Sequence, residues 1–309
     1  GLQSEKGESL CVPMLSFLAP MAVKLPASTP VLMASTVGEI DRLSDGTGRC
    51  TLNLLLEDTL RMFRKTKGRI LSAACASANV AIDRARRMIA SGMCDLVIVG
   101  ACDLVSEFAF SGFASLGAMT AERARPYDRN RSGLLLGEAA GILILASERA
   151  AKGHEVSAWI TGSAIRGDAL HITAPRPDGA ELERAIRMAL GPLPPEEIAA
   201  VVGHGTGTRY NDEMEIRAIR RVFGDTVPLA SAKGACGHTL GASGMIQAIL
   251  AVEALRRKTL FPQTGLETPE PGAERMVSRQ PQVLNGKAAL SLNSGFGGVN
   301  AAVLLEAES

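Results

Sequence analysis

The chain has 309 residues, of which 46% are hydrophobic and 21% charged, and Lys+Arg 33 against Asp+Glu 32 leaves a formal charge of +1. That composition excludes a disordered chain, and the length permits a sizeable buried core. A charge this close to zero excludes a global basic field for nucleic acid or membrane surfaces, and 4% aromatics leave little with which to stack bases.

The longest apolar stretch, Leu134 to Ala146, is too short for a spanning helix and carries Glu138. No basic segment followed by an apolar one opens the chain, so no secretory leader is expected. Cys11, Cys50, Cys75, Cys94, Cys102 and Cys236 are scattered without a C-x-x-C pair, which reads as reduced thiols in a cytoplasmic setting. Along the chain, Arg69 to Ala74 reads as a short buried strand. Ala76 to Ser91 places Val80, Ala81, Ala85, Met88 and Ile89 at helical spacing and stops at Gly92. Leu96 to Gly100 is a continuous apolar strand of the kind covered on both faces. Gly133 to Ala146 suggests a strand interrupted by glycines.

Helices are expected over Glu181 to Leu190, Asp212 to Phe223 and Met245 to Arg257. Strands are expected over Ile198 to Val202, Ala288 to Leu292 and Ala301 to Glu306. The Pro- and Gly-rich segment Phe261 to Glu274 reads as a surface loop. Alternation of strands and helices predicts an α/β fold. One internal echo stands out: Ser72-Ala-Ala-Cys75 leads into an Ala-rich helix ending in Arg86-Arg87. Ser231 to His238 leads into another ending in Arg256-Arg257. This hints at two related halves, 1–150 and 151–309, forming one compact unit.

Cys75 stands where a buried strand turns into a helix, among Ala73, Ala74, Ala76, Ser77 and Ala78. A helix N-terminus favours a thiolate, and small neighbours leave a substrate room to approach. Against this stands an inert buried cysteine, a frequent outcome for that residue type. Two of the four histidines, His204 and His238, lie in glycine-rich turns. The first follows the apolar Ala199 to Val202 and the second precedes the Ala-rich helix. Ligands of open α/β sheets bind at such strand ends, and tight Gly turns let backbone approach them. One cysteine with two such histidines favours catalysis over a structural role. The spacings fit no ordinary structural zinc site, and no metal is expected.

Ala74-Cys75-Ala-Ser-Ala, His204-Gly-Thr-Gly-Thr208, Lys233-Gly-Ala-Cys-Gly-His238 and Gly295-Phe-Gly-Gly298 occur in that order. Together with Arg125-Pro-Tyr-Asp-Arg-Asn-Arg-Ser-Gly-Leu-Leu-Leu-Gly-Glu-Ala-Ala-Gly141 and His171-Ile-Thr-Ala-Pro175, they resemble the β-ketoacyl-acyl carrier protein synthases of the thiolase-like superfamily. The resemblance runs from about Arg69 to Leu305. It implies the five-layered α-β-α-β-α fold of two similar halves and an acyltransferase that elongates a carrier-bound chain by two carbons. It also implies Cys75 as the acyl-accepting nucleophile, and His204 and His238 as donors to the enolate formed when malonyl thioester loses carbon dioxide. The backbone N–H groups of Cys75 and Phe296 match the family's oxyanion hole, and Phe296 also matches a gate beside the acyl pocket. Thr206 and Thr208 match hydroxyls that hold the pantetheine arm.

Lys233 resembles the family's buried lysine, paired with an acid at the position of Glu215. Glu138, inside an apolar run, must be paired or face a polar cavity, in a structural role. No cofactor is required. The implied partners are acyl carrier protein with phosphopantetheine-bound acyl and malonyl groups, and a second copy or another ketosynthase-like chain. The basic segment Arg61 to Arg69, with Arg123 and Arg125, could dock an acidic carrier, although a solvated helix end is the plainer reading.

Two departures from the pattern stand out. Family members place more residues ahead of the nucleophile than the 74 here. Their opening strand is not visible either, and Pro30 to Ile40 matches the strand and turn that come later. The first βα unit is therefore expected to be absent, leaving a sheet edge to cover. A rival reading is a non-catalytic subunit resembling chain-length factors, which shapes a neighbour's pocket. A non-decarboxylating thiolase fits less well, because no matching C-terminal Cys motif is present.

Overall fold

The computed structural model describes residues 11–45 and 51–308, which leaves Cys50 outside the described residues. The chain forms two compact units. One comprises residues up to Phe113 with Leu136–Glu155 and Thr239–Met245; the other comprises Ala114–Leu135, Val156–His238 and Ile246–Ser309.

The first unit holds α1 (Cys11–Ser16), α2 (Ala19–Ala22), β1 (Val31–Ala34), α3 (Leu52–Phe63), β2 (Gly68–Leu71), α4 (Ser77–Ala90) and β3 (Leu96–Asp103). It continues with α5 (Glu107–Ser115), β4 (Ala139–Ala146) and α6 (Glu148–Ala151). Its sheet runs β2-β1-β3-β4, with β1 parallel to β2 and β3, and β4 antiparallel to β3. The apolar run beginning at Leu96 makes β3 the buried interior strand, solvent-free from Val97 to Asp103. Helix α4 buries Ala78, Ala81, Ile82 and Ala85, one face at helical spacing, against β1 and β3. It ends two residues before Gly92, whose left-handed φ of 71° closes the turn.

Helix α1 packs against β3 and β4, burying Cys11 and Leu15. Helix α3, which the apolar spacing had not singled out, buries Leu55, Thr59 and Phe63. Among the described residues β4 has no strand on its outer side, and Ile144 there is 36% exposed. Among the described residues this sheet has four strands.

The second unit holds β5 (Trp159–Gly167), α7 (Ala180–Leu190), β6 (Ile198–Val202), α8 (Arg209–Phe223), β7 (Leu229–Ala230), α9 (Lys233–Cys236) and most of α10 (Ser243–Arg257). Then come the short pair β8 (Thr259–Leu260) and β9 (Gln282–Val283), followed by β10 (Ala288–Gly295) and β11 (Val299–Glu306). The sheet order is β5-β11-β10-β6-β7. Strand β10 is parallel to β6 and antiparallel to β11, and β5 is antiparallel to β11. Its core gathers Tyr127, Leu182, Ile186, Val201, Met214, Ile219, Leu229, Leu290, Leu292 and Leu304.

Three sequence expectations are corrected by this geometry. The strand expected from Gly133 begins only at Ala139. Gly133 donates instead to the Gly207 carbonyl, and Leu134 bridges to Met119, so the stretch before β4 belongs to a different hydrogen-bond pattern. The strand expected over Arg69 to Ala74 stops at Leu71, because Ala74 takes a left-handed φ of 49° at the head of α4. The segment Phe261 to Glu274 is a loop, but a packed one: Gln263, Leu266 and Ala273 are buried, and Gln263 accepts the Ser231 amide at 2.7 Å. Among the described residues no helix is long and apolar enough to cross a membrane.

Candidate active site

The site in the second unit is built on the loop between β6 and α8. Strand β6 ends at Val202, and Gly203 still donates to the Ala230 carbonyl of β7 at 2.9 Å, but the amides of the next four residues, His204 to Gly207, turn to side chains. Two carboxylates from the first turns of α8 supply them. Glu215 accepts the amides of His204 at 2.6 Å and Gly205 at 2.8 Å. Asp212 accepts those of Thr206 at 2.9 Å and Gly207 at 3.2 Å. Asp212 and Glu215 are three residues apart, which puts both on one face of the helix. Helix α8 starts at Arg209, three residues before the start that the apolar pattern suggested.

His204 and His238 are both almost fully buried, with ring centroids 5.3 Å apart and planes at 84°. His238 is fixed through its backbone, which donates to the Leu135 carbonyl at 2.7 Å. Burial, Lys233 and His238 hold the His204 imidazole well below its usual pKa, with the Asn293 amide opposing the fall. Burial and Lys233 do the same to His238. Both rings are therefore neutral at neutral pH. The Lys233 Nζ donates to the His204 carbonyl at 2.6 Å and lies 3.3 Å from Nδ1. An ammonium offers only donors, so a charged Lys233 would leave Nδ1 as the acceptor and the ring proton on Nε2. Lys233 thereby acts directly on the histidine, while Glu215 holds the same loop by its amides.

Beneath this loop Gln247 donates to the carbonyls of Gly203 at 2.7 Å and Leu292 at 2.6 Å, and accepts from Asn293 at 2.5 Å. This ties α10 to the ends of β6 and β10. Thr206 and Thr208 share a hydroxyl hydrogen bond of 2.8 Å, Thr206 being buried and Thr208 partly exposed. Phe296 is half-buried in the tight turn between β10 and β11, where Gly297 and Gly298 take left-handed φ of 83° and 75°. Arg131 braces the start of α8: its guanidinium donates to the Thr208 carbonyl at 3.1 Å and pairs with Glu270.

Cys75 belongs to the first unit. It is 5% exposed and stands two residues ahead of α4, in a turn that Ser77 pins by accepting the Ala73 amide at 2.8 Å and donating to the Ala74 carbonyl at 2.6 Å. In the same unit Asp103, at the end of β3, accepts Ser35 Oγ at 2.6 Å and the Gly241 amide at 2.6 Å. It also accepts the Thr36 amide at 2.9 Å, and burial pushes its carboxyl up to about 6. Glu138 is not inside a strand: it sits exposed just before β4, where it accepts the Val105 amide at 3.0 Å. In the basic segment Lys65 is buried and spends its ammonium on the carbonyls of Leu25 and Phe63, both at 3.0 Å. Arg61 pairs with Asp58, and Arg125 with Glu122 and Glu267.

Tyr127, Asp212, Gln247, Asn293 and Asp103 were not singled out by sequence. Asp212 could have been: an acid three residues before Glu215, directly after a glycine-rich turn, is the pattern that caps such a loop.

A family model described as "Beta-ketoacyl synthase, N-terminal domain" matches residues 67–151, and "Beta-ketoacyl synthase, C-terminal domain" matches residues 157–267. The "3-oxoacyl-[acyl-carrier-protein] synthase 2" of Synechocystis sp. is 33% identical over 96% of this chain and 68% of its own length. That of Rhizobium meliloti is 35% identical over 75% of this chain and 59% of its own. The chain thus spans about three fifths to two thirds of these relatives' length. A solved structure described as "The ishigamide ketosynthase/chain length factor" matches all of this chain and 85% of its own, with a TM-score of 0.88 and 27% identity. That likeness bears out the thiolase-like α/β fold.

Proposed function

The chain belongs to the β-ketoacyl synthase family, and from that membership we propose that it catalyses the decarboxylating condensation of a Cys75-bound acyl chain with malonyl-acyl carrier protein. The Cys75 sulfur attacks the acyl thioester carbonyl, the C–S bond to the enzyme forms, and the carrier's pantetheine thiol leaves. Backbone N–H groups of Cys75 and Phe296 serve the oxyanion of that step. Malonyl thioester then loses carbon dioxide, and the resulting enolate carbon attacks the acyl carbonyl. The β-ketoacyl product leaves on the carrier, and Cys75 returns as a thiol.

The observation that carries this reading is the pair of buried imidazoles, 5.3 Å apart and held well below their usual pKa by burial and Lys233, whose Nζ lies 3.3 Å from His204 Nδ1. Neutral donors suit an enolate oxygen, because they stabilise charge as it appears without proton transfer being forced on the ground state. Thr206 and Thr208, whose hydroxyls already bond each other, are the proposed contacts for the pantetheine arm. The partners proposed are acyl carrier protein and a second chain, either another copy or a ketosynthase-like subunit. A chain-length-factor role is the second reading, favoured by the likeness to a ketosynthase/chain length factor structure. Retention of Cys75, His204, His238 and Lys233 together weighs against it.

Intact-protein mass spectrometry with acyl-acyl carrier protein separates the two. The enzyme gains one acyl mass that maps to Cys75, and then releases carbon dioxide from malonyl-acyl carrier protein. A chain that takes no acyl mass is the pocket-shaping subunit.

A further inference from the structure

Tyr127 is fully buried, yet it carries a phenol oxygen that no catalytic step above uses. Its backbone N–H donates to Asp212 Oδ2 at 2.8 Å, and its hydroxyl donates to Glu215 Oε2 at 2.9 Å. One residue therefore bonds both carboxylates that hold the four successive amides from His204 to Gly207. The phenol end of the ring lies close against that loop. A β-carbon added to Gly203 would come within 2.2 Å of the phenol oxygen, and one on Gly205 within 2.5 Å of the ring carbon bearing it. Glycine at both positions is what admits the ring.

We propose that Tyr127 is a positioning residue for His204, acting through Glu215: its hydroxyl keeps that carboxylate ionised and clamped on the His204 and Gly205 amides. The inference rests on the reading of His204 as an enolate donor. Glu215 faces three donors, the His204 amide, the Gly205 amide and the Tyr127 hydroxyl, an arrangement that suits an anion. The charged and titratable neighbours are Asp212 on the same helix, Tyr127 from the segment before β4, His204 on the loop itself, and Lys233 of α9, which meets that loop at the His204 carbonyl. Burial raises the Glu215 carboxyl to about 7, Asp212 adds to the rise, and the loop amides and the phenol oppose it. The phenol hydrogen bond lowers the midpoint, so loss of the phenol moves it upward. Each unit of movement lowers the ionised fraction below the midpoint by about tenfold.

Tyr127→Phe removes one oxygen and keeps the ring that fills the space over Gly203 and Gly205. Two readouts on the full chain test the role. The first is carbon dioxide release from malonyl-acyl carrier protein across pH, where the acidic limb of the variant is expected to move to higher pH. The second needs no activity: thermal stability of wild type and variant from pH 5 to 9. A carboxyl whose folded pKa is raised from 4.5 to about 7 lowers stability as pH climbs through that interval. In the variant the decline extends above pH 7, so its deficit against wild type widens there. In a Glu215→Gln background the same Tyr127→Phe change should give a deficit that no longer varies with pH.

A deficit equal at every pH in the Glu215 background, with an unmoved acidic limb, would overturn the proposal and leave Tyr127 as packing. If wild type releases no carbon dioxide but the stability deficit still widens with pH, the clamp stands and the condensation reading fails.

Discussion

The sheets of the two units share a plan. Each has a parallel strand at one edge, a second beside it, a third, and then an antiparallel fourth, β2-β1-β3-β4 in one and β7-β6-β10-β11 in the other. They differ beyond the antiparallel strand, where β5 covers β11 and no described strand covers β4. They also differ in what the matching turns carry. The turn after β2 presents Cys75 at the head of α4, and the segment after β7 presents Lys233 and His238 ahead of α10. The turn after the second strand is held in both units by buried carboxylates: Asp103 in one, Asp212 and Glu215 in the other. A single structural plan thus carries the proposed nucleophile in one unit and the proposed electrophilic donors in the other, with the anchoring acids kept in both.

The largest expected effect separates those two chemistries. Cys75→Ser should abolish acyl transfer, because a hydroxyl is far less acidic than a thiol and leaves no thioester on which to condense. His204→Ala and His238→Ala should still accept an acyl mass on Cys75 but lose about 100- to 1,000-fold in carbon dioxide release, the usual cost of one oxyanion donor. Acylation by intact mass and decarboxylation by trapped carbon dioxide read the two steps apart. Equal losses in both steps for the histidine variants would mean that the glycine-rich loops have collapsed, and the division of labour between the units would be lost with them.

Much of this division was legible in the sequence, and the reasons are local. Cys75, His204 and His238 announce themselves because small or glycine neighbours are needed wherever backbone must turn tightly beside a ligand. The interior strands β3 and β6 announce themselves because both faces are buried, which makes the run continuous in apolar residues. Strand β5, with Thr161, Gly162, Ser163 and Arg166 among its residues, gave no such run. An edge strand is half solvated, and its assignment depends on the ladder to β11, which lies 132 residues or more further along. Tyr127 and Asp103 were invisible for a related reason. Their meaning comes from partners such as Glu215 and Gly241, 88 and 138 residues away, and no periodicity reports that. Lys233 reaches the His204 carbonyl and lies 3.3 Å from its Nδ1, a placement within one cluster that spacing alone does not carry.

The anchoring acids give the second test, of moderate size. Asp103 is raised from 3.8 to about 6 by burial, which corresponds to on the order of 3 kcal/mol. The folded state keeps a proton that the unfolded chain releases, so stability falls as pH rises from about 4 to 6. In Asp103→Asn that part of the decline should vanish, while the part between 4.5 and about 7, due to Glu215, remains. Chemical denaturation across pH reads both windows. A variant whose profile parallels wild type would show that the two carboxylates do not play matching roles in the two units.

The smallest expected effect lies in the backbone. Strands β4 and β11 hold matching antiparallel places in their sheets, but β11 bonds on two sides and is buried from Asn300 to Leu305, whereas among the described residues β4 bonds on one side and is no longer buried from Leu143 onward. An unpaired edge leaves alternate amides without a ladder partner. Amides in β4 that point away from β3 should therefore exchange with solvent faster than any in the middle of β11, by an amount that local opening rather than global unfolding sets. Hydrogen exchange by mass spectrometry resolves the two segments, 139–146 and 299–306. If a second chain covers the β4 edge in solution, raising the protein concentration will slow exchange in β4 and leave β11 unchanged, because association protects only the edge it occupies. Equal protection in both strands at low concentration would remove the one difference in plan between the sheets, and with it the reason to expect an edge in need of cover.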